Sequence, residues 1–346
     1  MEYQALRRIP LKNLMDLKID FAFKHLFGSE RNKSLTIVFL NALLQRTGRN
    51  TIKEVTFINH EVGGEHKEDK QSRLDIVVKT QNEEYINIEI QLANKNDMFK
   101  RTLFYWSRLY NSQLQKGKGY HTLNPTITIN ICDFTMFKGN EHYHSTYHLY
   151  EDTTLLRVQG EVLEIHFIEM NKFLKTWLME ELNPLEDKLA KWLLLLGMVD
   201  GRKRKVNEDI YKVLEELAMK DIHLREAFEA WEELSQDPES IIAYQSRVKY
   251  IIDEAAALED AKYHAEQAGI EKGIQKGMKE GIQKGIEEGK QRGIQEGMQK
   301  GIQKGIQEGM REIAKKMIAK GNSNEEIVEL TNLTIQEIQV LRQEVK

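Results

Sequence analysis

Two neighbouring stretches decide the fold: Arg73-Leu74-Asp75-Ile76-Val77-Val78-Lys79-Thr80 and Glu84-Tyr85-Ile86-Asn87-Ile88-Glu89-Ile90-Gln91. Both alternate with period two, and Asn82-Glu83 between them reads as a turn, so the spacing predicts a hairpin of Ser72 to Thr80 and Glu84 to Ala93. In the second strand Ile86, Ile88 and Ile90 share one face, and Tyr85, Asn87, Glu89 and Gln91 share the other. In the first, Asp75 points opposite to Leu74, Ile76 and Val78. Each strand thus sets one carboxylate on a polar face, with a packed apolar face behind it.

Outward from the hairpin, helical periodicity covers Asp16 to Phe27 and Arg31 to Gln45, with Ser29 placed to cap the second. Thr51 to Glu61 reads as a strand and Val62 to Lys70 as a charged loop. A helix rich in aromatics follows over Asn96 to Lys116, stopped by Gly117 and Gly119. Pro125 to Phe134 has the apolar run of a buried strand, and His142 to Tyr150 and Val162 to Glu169 read as further strands. Helices are expected at Phe173 to Leu182, Pro184 to Met198, Asp209 to Met219 and Ser240 to Tyr263, with Pro184 at a first helical position. The order αβββαβ predicts an α/β fold, a mixed sheet flanked by helices, in residues 1–170. A helical extension follows over residues 171–260.

Composition bounds the function. The 346 residues are 40% hydrophobic and 30% charged, a globular balance leaning polar. One cysteine, Cys132, excludes an internal disulfide framework and cannot build a zinc cluster alone. His142, His144 and His148 form an H-x-H-x3-H pattern, but with no cysteine nearby they read as strand surface rather than a zinc site. The N-terminus lacks the apolar core of a signal peptide, and no apolar run is long enough for a membrane span. A cytoplasmic protein with no membrane partner is expected. Net charge is -4, so any nucleic acid must be held by local basic patches or through a metal.

Beyond residue 260 the chain becomes repetitive. From Gly269 to Gly309 a glycine falls at every fourth position, eleven in all, usually followed by Ile or Met and two polar residues. Lys, Glu and Gln in every unit exclude a bilayer despite the GxxxG spacing. Eleven interior glycines cost a lone helix about 1 kcal/mol each against alanine. Residues 261–312 are therefore read either as a helix packed on a second copy, giving a homo-oligomer, or as a flexible charged linker. The apolar register favours the first. Residues 313–346 read as a small helical tail, loosely helix-turn-helix, with Ser323 or Asn324 and Thr334 as caps. The last helix has little positive charge for reading DNA.

The chemistry sits on the hairpin. Mg²⁺ prefers oxygen ligands and is commonly held by one or two carboxylates. Asp75 and Glu89 on rigid neighbouring strands suit it, and Gln91 shares their face two residues on. On spacing alone, two carboxylates on a solvated strand face are the usual explanation. Asp20 and Lys24 alone read as the polar face of an amphipathic helix. Lys100, Arg101, Arg108, Lys116 and Lys118 alternate with aromatics in a pattern that can follow a nucleic-acid backbone, although such aromatics are more commonly core. Arg202 to Lys205 is a basic run, read as a solvated loop.

The strings DLKIDFAFKHLFG, RLDIVVKT, YINIEIQLA, FKRTLFYWSRLYNSQLQKGKGY and PTITINICDF, in this order, resemble the recombination-promoting nuclease (Rpn) family, also labelled PD-(D/E)xK nuclease family transposase. The motifs cover roughly Leu11 to Met170. The resemblance implies a restriction-endonuclease-like core and a Mg²⁺-dependent endonuclease, with Mn²⁺ as an alternative ion. DNA is the implied partner, and recombination, mobile elements or defence the setting. It implies Asp75 and Glu89 as metal ligands, the Ile90 carbonyl as another, Gln91 in the usual lysine position and Asp20 as an accessory acid. Lys24, Arg73 or Arg101 could supply the charge that Gln91 lacks; Arg73, Lys100, Arg101 and Arg108 are the expected nucleic-acid contacts. Gln cannot serve as a cationic acid or base. The competing expectation is therefore a weak or inactive nuclease fold that binds DNA or protein and assembles through the repeat.

Overall fold

The computed structural model describes residues 8–58, 61–62, 72–73, 75–94, 97–158 and 162–345, apart from the side chains of residues 61, 62, 72 and 73. The chain divides into two compact units, residues 1–256 and 257–346.

The first unit is a six-stranded mixed sheet between helices. Helices α1 (Asp20–Phe27) and α2 (Lys33–Leu43) lead into β1 (Val55–Phe57), and a two-stranded ribbon, β2 (Glu61–Val62) and β3 (Ser72–Arg73), stands apart from the main sheet. Next come β4 (Ile76–Thr80), β5 (Tyr85–Gln91), helix α3 (Met98–Ser112), β6 (Thr126–Cys132), β7 (His144–His148) and β8 (Leu163–Glu169). The sheet order is β1-β4-β5-β6-β8-β7. The centre, β5-β6-β8, is parallel, and the outer pairings are antiparallel. Helices α4 (Met170–Leu178) and α5 (Ala190–Gly197), a short ribbon of β9 (Val199–Asp200) and β10 (Lys205–Val206), and helices α6 (Glu208–Ala218) and α7 (Ile222–Gln236) complete the elements before α8 (Pro238–Ala319). This is the expected α/β architecture, consistent with a restriction-endonuclease-like core.

The period-two pattern explains the layering. Ile76, Val78, Ile86, Ile88, Ile90, Ile127, Ile129 and Ile131 form one face, buried in a single core with α1, α2, α5 and α7. The other face is not solvated. Asn87, Thr128 and Asn130 are fully buried there, where α3 lies across the sheet: Thr102 donates to Asn130 Oδ1 (3.1 Å) and Trp106 Nε1 to the Thr126 carbonyl (2.9 Å). Parallel β6 is covered on both sides, as a central strand reached by crossovers must be.

The helices after β8 fix the start of the chain. Met15 gives its carbonyl to Trp231 Nε1 (2.9 Å) and its N–H to Ser235 (3.1 Å), while the Asp16 N–H donates to the Tyr244 hydroxyl (2.8 Å). These bonds seat the segment that enters α1.

Several boundaries differ from expectation. The strand expected over Ser72 to Thr80 is broken into β3 and β4, with Asp75 in a bend between them. Ser29 leads only a short 3-10 turn, Glu30–Asn32, and its hydroxyl makes no capping bond. Helix α3 ends at Ser112, short of Gly117, which takes a left-handed φ of 84° in the following loop. Pro184 precedes α5 by more than a turn, and Pro238 instead opens a helix, with the Asp237 carboxylate accepting from the Ser240 N–H (2.8 Å). Helix α7 was unexpected. The helix expected to stop near Tyr263 continues through the whole repeat as α8.

In the second unit the end of α8, α9 (Asn324–Thr331) and α10 (Ile335–Glu344) share a small core of Ala314, Ile327, Leu333, Ile338 and Leu341. Ser323 and Thr334 each close a capping box, and Asn332 turns the chain in a left-handed conformation. Among the described residues, no helix is long and apolar enough to cross a membrane.

Candidate active site

Helix α1 buries Ala22, Phe23, Leu26 and Phe27 and leaves Asp20 and Lys24, one turn apart, on its other side. Gly28 ends it. A Cβ on Gly28 would lie 2.7 Å from the Lys24 carbonyl and 3.2 Å from Ile76 Cγ1, so only glycine lets the end of α1 press against the first residue of β4. That approach brings Lys24 to the bend before β4, where its Nζ stands 3.1 Å from Asp75 Oδ1.

Asp75 extends the β4-β5 ladder with its side chain. Its Oδ2 accepts from the Ile90 N–H (2.9 Å), and its own N–H donates to Glu89 Oε1 (3.3 Å). Glu89 is 1% exposed. Its Oε1 also accepts from Asn87 Nδ2 (3.2 Å), and its Oε2 from Gln91 Nε2 (3.3 Å). The face predicted by alternation therefore does gather Asp75, Glu89 and Gln91, but as a hydrogen-bonded set with Glu89 buried at its centre and the other two half-buried.

Electrostatics follow from burial. Desolvation pushes the Asp75 carboxyl up; the Lys24 charge and the Ile90 N–H pull the other way. Desolvation, then the neighbouring Asp75 charge, push Glu89 to about 8, against the Asn87 amide and the Arg101 charge. The Asp75 charge thus opposes ionisation of Glu89, and the Asp20 charge opposes that of Asp75.

Main-chain direction places the remaining oxygen. The Tyr85 N–H donates to the Pro125 carbonyl (2.9 Å) and the Gln91 carbonyl accepts from Asp133 (2.8 Å), so odd residues of β5 bond toward β6. Ile86, Ile88 and Ile90 therefore direct their main-chain groups at β4. Ile90 lies beyond the last paired residue of β4, and its carbonyl is on the same side of the strand as its N–H, which meets Asp75.

The other expected residues separate. Asp20 Oδ1 accepts from the Phe21 N–H (2.9 Å) and from Arg247 Nε (2.7 Å), so a guanidinium from α8 engages it. Arg101, on α3, donates to the Tyr105 hydroxyl (3.0 Å) and its charge favours ionised Glu89. Lys100 is exposed, and Arg108 lies over the Phe104 ring, 5.4 Å from its centroid. The Arg73 side chain lies outside the described residues, so of the three cations offered in place of a lysine at position 91, Lys24 is the one seen on Asp75. Phe99 and Phe104 are exposed rather than core. Arg202 is drawn into ion pairs with Asp133 and Asp200. His144 meets His166, and His166 meets Glu164, across β7 and β8. Among the described residues, no three His, Cys, Asp or Glu side chains come together as a metal cluster.

Arg247 was missed by sequence reasoning. It lies far from the hairpin in a helix of unremarkable pattern, and only the i,i+3 pairing with Tyr250, whose ring centroid is 5.0 Å from its guanidinium carbon, hints at it.

The family model described as PD-(D/E)XK nuclease family transposase matches residues 17–261, which span α1, the whole sheet and the start of α8. No curated protein and no solved structure matches the chain.

Proposed function

The chain belongs to the PD-(D/E)XK nuclease family transposases, and on that premise we propose that it is a metal-dependent endonuclease hydrolysing DNA phosphodiester bonds, in the setting of recombination, mobile elements or defence. The observation that carries the reading is the pairing of Asp75, at the bend before β4, with buried Glu89 on β5, linked by the bond from the Asp75 N–H to Glu89 Oε1. Two carboxyls that burial pushes up, Glu89 further by the Asp75 charge, are a donor set that a divalent cation relieves, and with the Ile90 carbonyl they offer the hard oxygens that fit Mg²⁺ or Mn²⁺. When bound, the ion would lower the pKa of a water and offset charge on the phosphoryl group.

The chain's own residues do the rest. Asp75, Glu89 and the Ile90 carbonyl would hold the ion. Asn87 and Gln91 donate to the two oxygens of Glu89 and fix the carboxylate plane. Gln91 is thus an orienting donor rather than an acid or base. Lys24 brings the cation that position 91 lacks, from a helix instead of the strand. Supercoiled plasmid incubated with Mg²⁺ or Mn²⁺ should be nicked by the parent and not by Asp75→Ala. Equal nicking by both, or none by either in any divalent metal, would leave only the competing reading of a nuclease fold that binds without cutting.

Residues 261–312 are the proposed assembly segment. Ile274, Met278, Ile286 and Met298 are each about two-thirds exposed, and a Cβ added at any of the eleven repeat glycines would meet nothing within 4 Å. A helix that leaves this apolar row exposed along the chain favours association with a second copy.

A further inference from the structure

Beside the two carboxylates, α1 and the start of α8 enclose an open cleft of about 450 Å³. It is lined by Asp20, Phe21, Lys24, Ala243, Arg247 and Tyr250. Nothing in the reaction proposed above uses Arg247.

The guanidinium is held in a fixed pose. Its Nε donates to Asp20 Oδ1 (2.7 Å), and its plane lies by Tyr250, 5.0 Å from the ring centroid. Among the described residues neither terminal nitrogen has a hydrogen-bond partner, and the side chain is 40% exposed. With Nε occupied, the fork of terminal nitrogens is the part left to bond a ligand. A fork of this kind grips two oxygens of one phosphate, which a lysine cannot do. Lys24 lies one turn along α1 and already bridges to Asp75. The cleft therefore adjoins the carboxylate pair through Lys24, which lines it together with Arg247.

We propose that this cleft seats a phosphodiester of the bound DNA strand next to the one to be cut, that Arg247 grips it through its terminal nitrogens, and that Asp20 is the positioning residue that holds Arg247 for the task. The proposal rests on the nuclease reading for the strand's direction toward Asp75, and its test separates the two.

The measurement is fluorescence anisotropy of a labelled DNA duplex with the full chain, in Ca²⁺ and across a salt series, paired with plasmid nicking in Mg²⁺. Arg247→Ala should bind about tenfold more weakly, with a salt slope flatter by about one. Arg247→Lys, which keeps the charge and loses the fork, should recover the slope and only part of the affinity. A merely structural role would not flatten the slope, and a circular dichroism melt of each variant checks folding. Asp75→Ala should stop nicking and leave the slope as in the parent. If the parent does not nick while Arg247→Ala still loses binding and slope, the catalytic reading fails and the phosphate site stands. Unchanged affinity and slope in Arg247→Ala, or a parent that binds no duplex, overturns the site.

Discussion

Glu89 accepts three donors, from Asp75, Asn87 and Gln91, and is otherwise sealed from water. That environment makes two predictions. Gln91→Ala removes one donor from the metal-holding carboxylate and should slow nicking about 10- to 100-fold, the usual cost of losing such a support. Lys24→Ala removes the only described cation on Asp75 and should cost more, about 100- to 1000-fold, as for loss of a charge-stabilising donor. Single-turnover nicking at saturating Mg²⁺ checks both; a larger loss at Gln91 than at Lys24 would reverse the assigned roles. The same burial of Glu89 also sets a pH dependence. Glu89 is held near 8 when folded against 4.5 in an open chain, so the folded state binds its proton more tightly. Stability from that proton is complete below the unfolded value and drains away as pH rises toward 8. Glu89→Gln, which mimics the protonated group, should therefore melt above the metal-free parent at pH 8 and near it at pH 5. A shift of equal size at both would show that the carboxyl is not held up.

At the scale of elements, the alternation in Tyr85 to Gln91 was enough to name the faces, because period two directly sets which way a side chain points. It could not show the break before Ile76, since a bend of one residue leaves the alternation of the flanking strands intact. Nor could it show that α3 covers the polar face. That follows from Thr102 and Asn130 meeting across elements, a pairing with no local trace. Ion pairs such as Asp20 with Arg247 were illegible for the same reason, whereas Lys24 was legible only as one of several cations. The repeat was the most legible element and gives an element-scale prediction. Its glycines follow the i±4 row of a helix, with the Ile/Met row beside them, so the ridge of one copy fits the groove of another at a crossing of about -50°. Alanine stabilises a lone helix by about 1 kcal/mol per glycine replaced, but fills that groove. Replacing Gly281, Gly285, Gly289 and Gly293 with alanine should thus preserve or raise helicity by circular dichroism while mass measurement shows dissociation. An oligomer that survives with its mass unchanged would mean the glycine row is not the seam.

For the whole molecule, the proposed tasks divide between the two compact units. All the candidate site residues, from Asp20 to Arg247, lie in residues 1–256. In the second unit, Arg342 is occupied by Asn324 (2.9 Å) and the Asn322 carbonyl, and Lys315 pairs with Glu344 (3.2 Å). The tail therefore spends these cations internally, which suits assembly better than groove recognition. A chain ended at Ala256 should accordingly keep nicking activity per site but behave as a monomer, while the full chain is larger by mass. The products should differ as well. One site cuts one strand, so the truncated chain converts supercoiled plasmid first to nicked circles. Copies joined through α8 raise the local concentration of the second site to the millimolar range, and the full chain should yield linear plasmid with less nicked intermediate. Time courses of both forms on one gel read the difference. Identical nicked-to-linear ratios at equal rates of first cutting would separate assembly from cleavage and leave the repeat with another task.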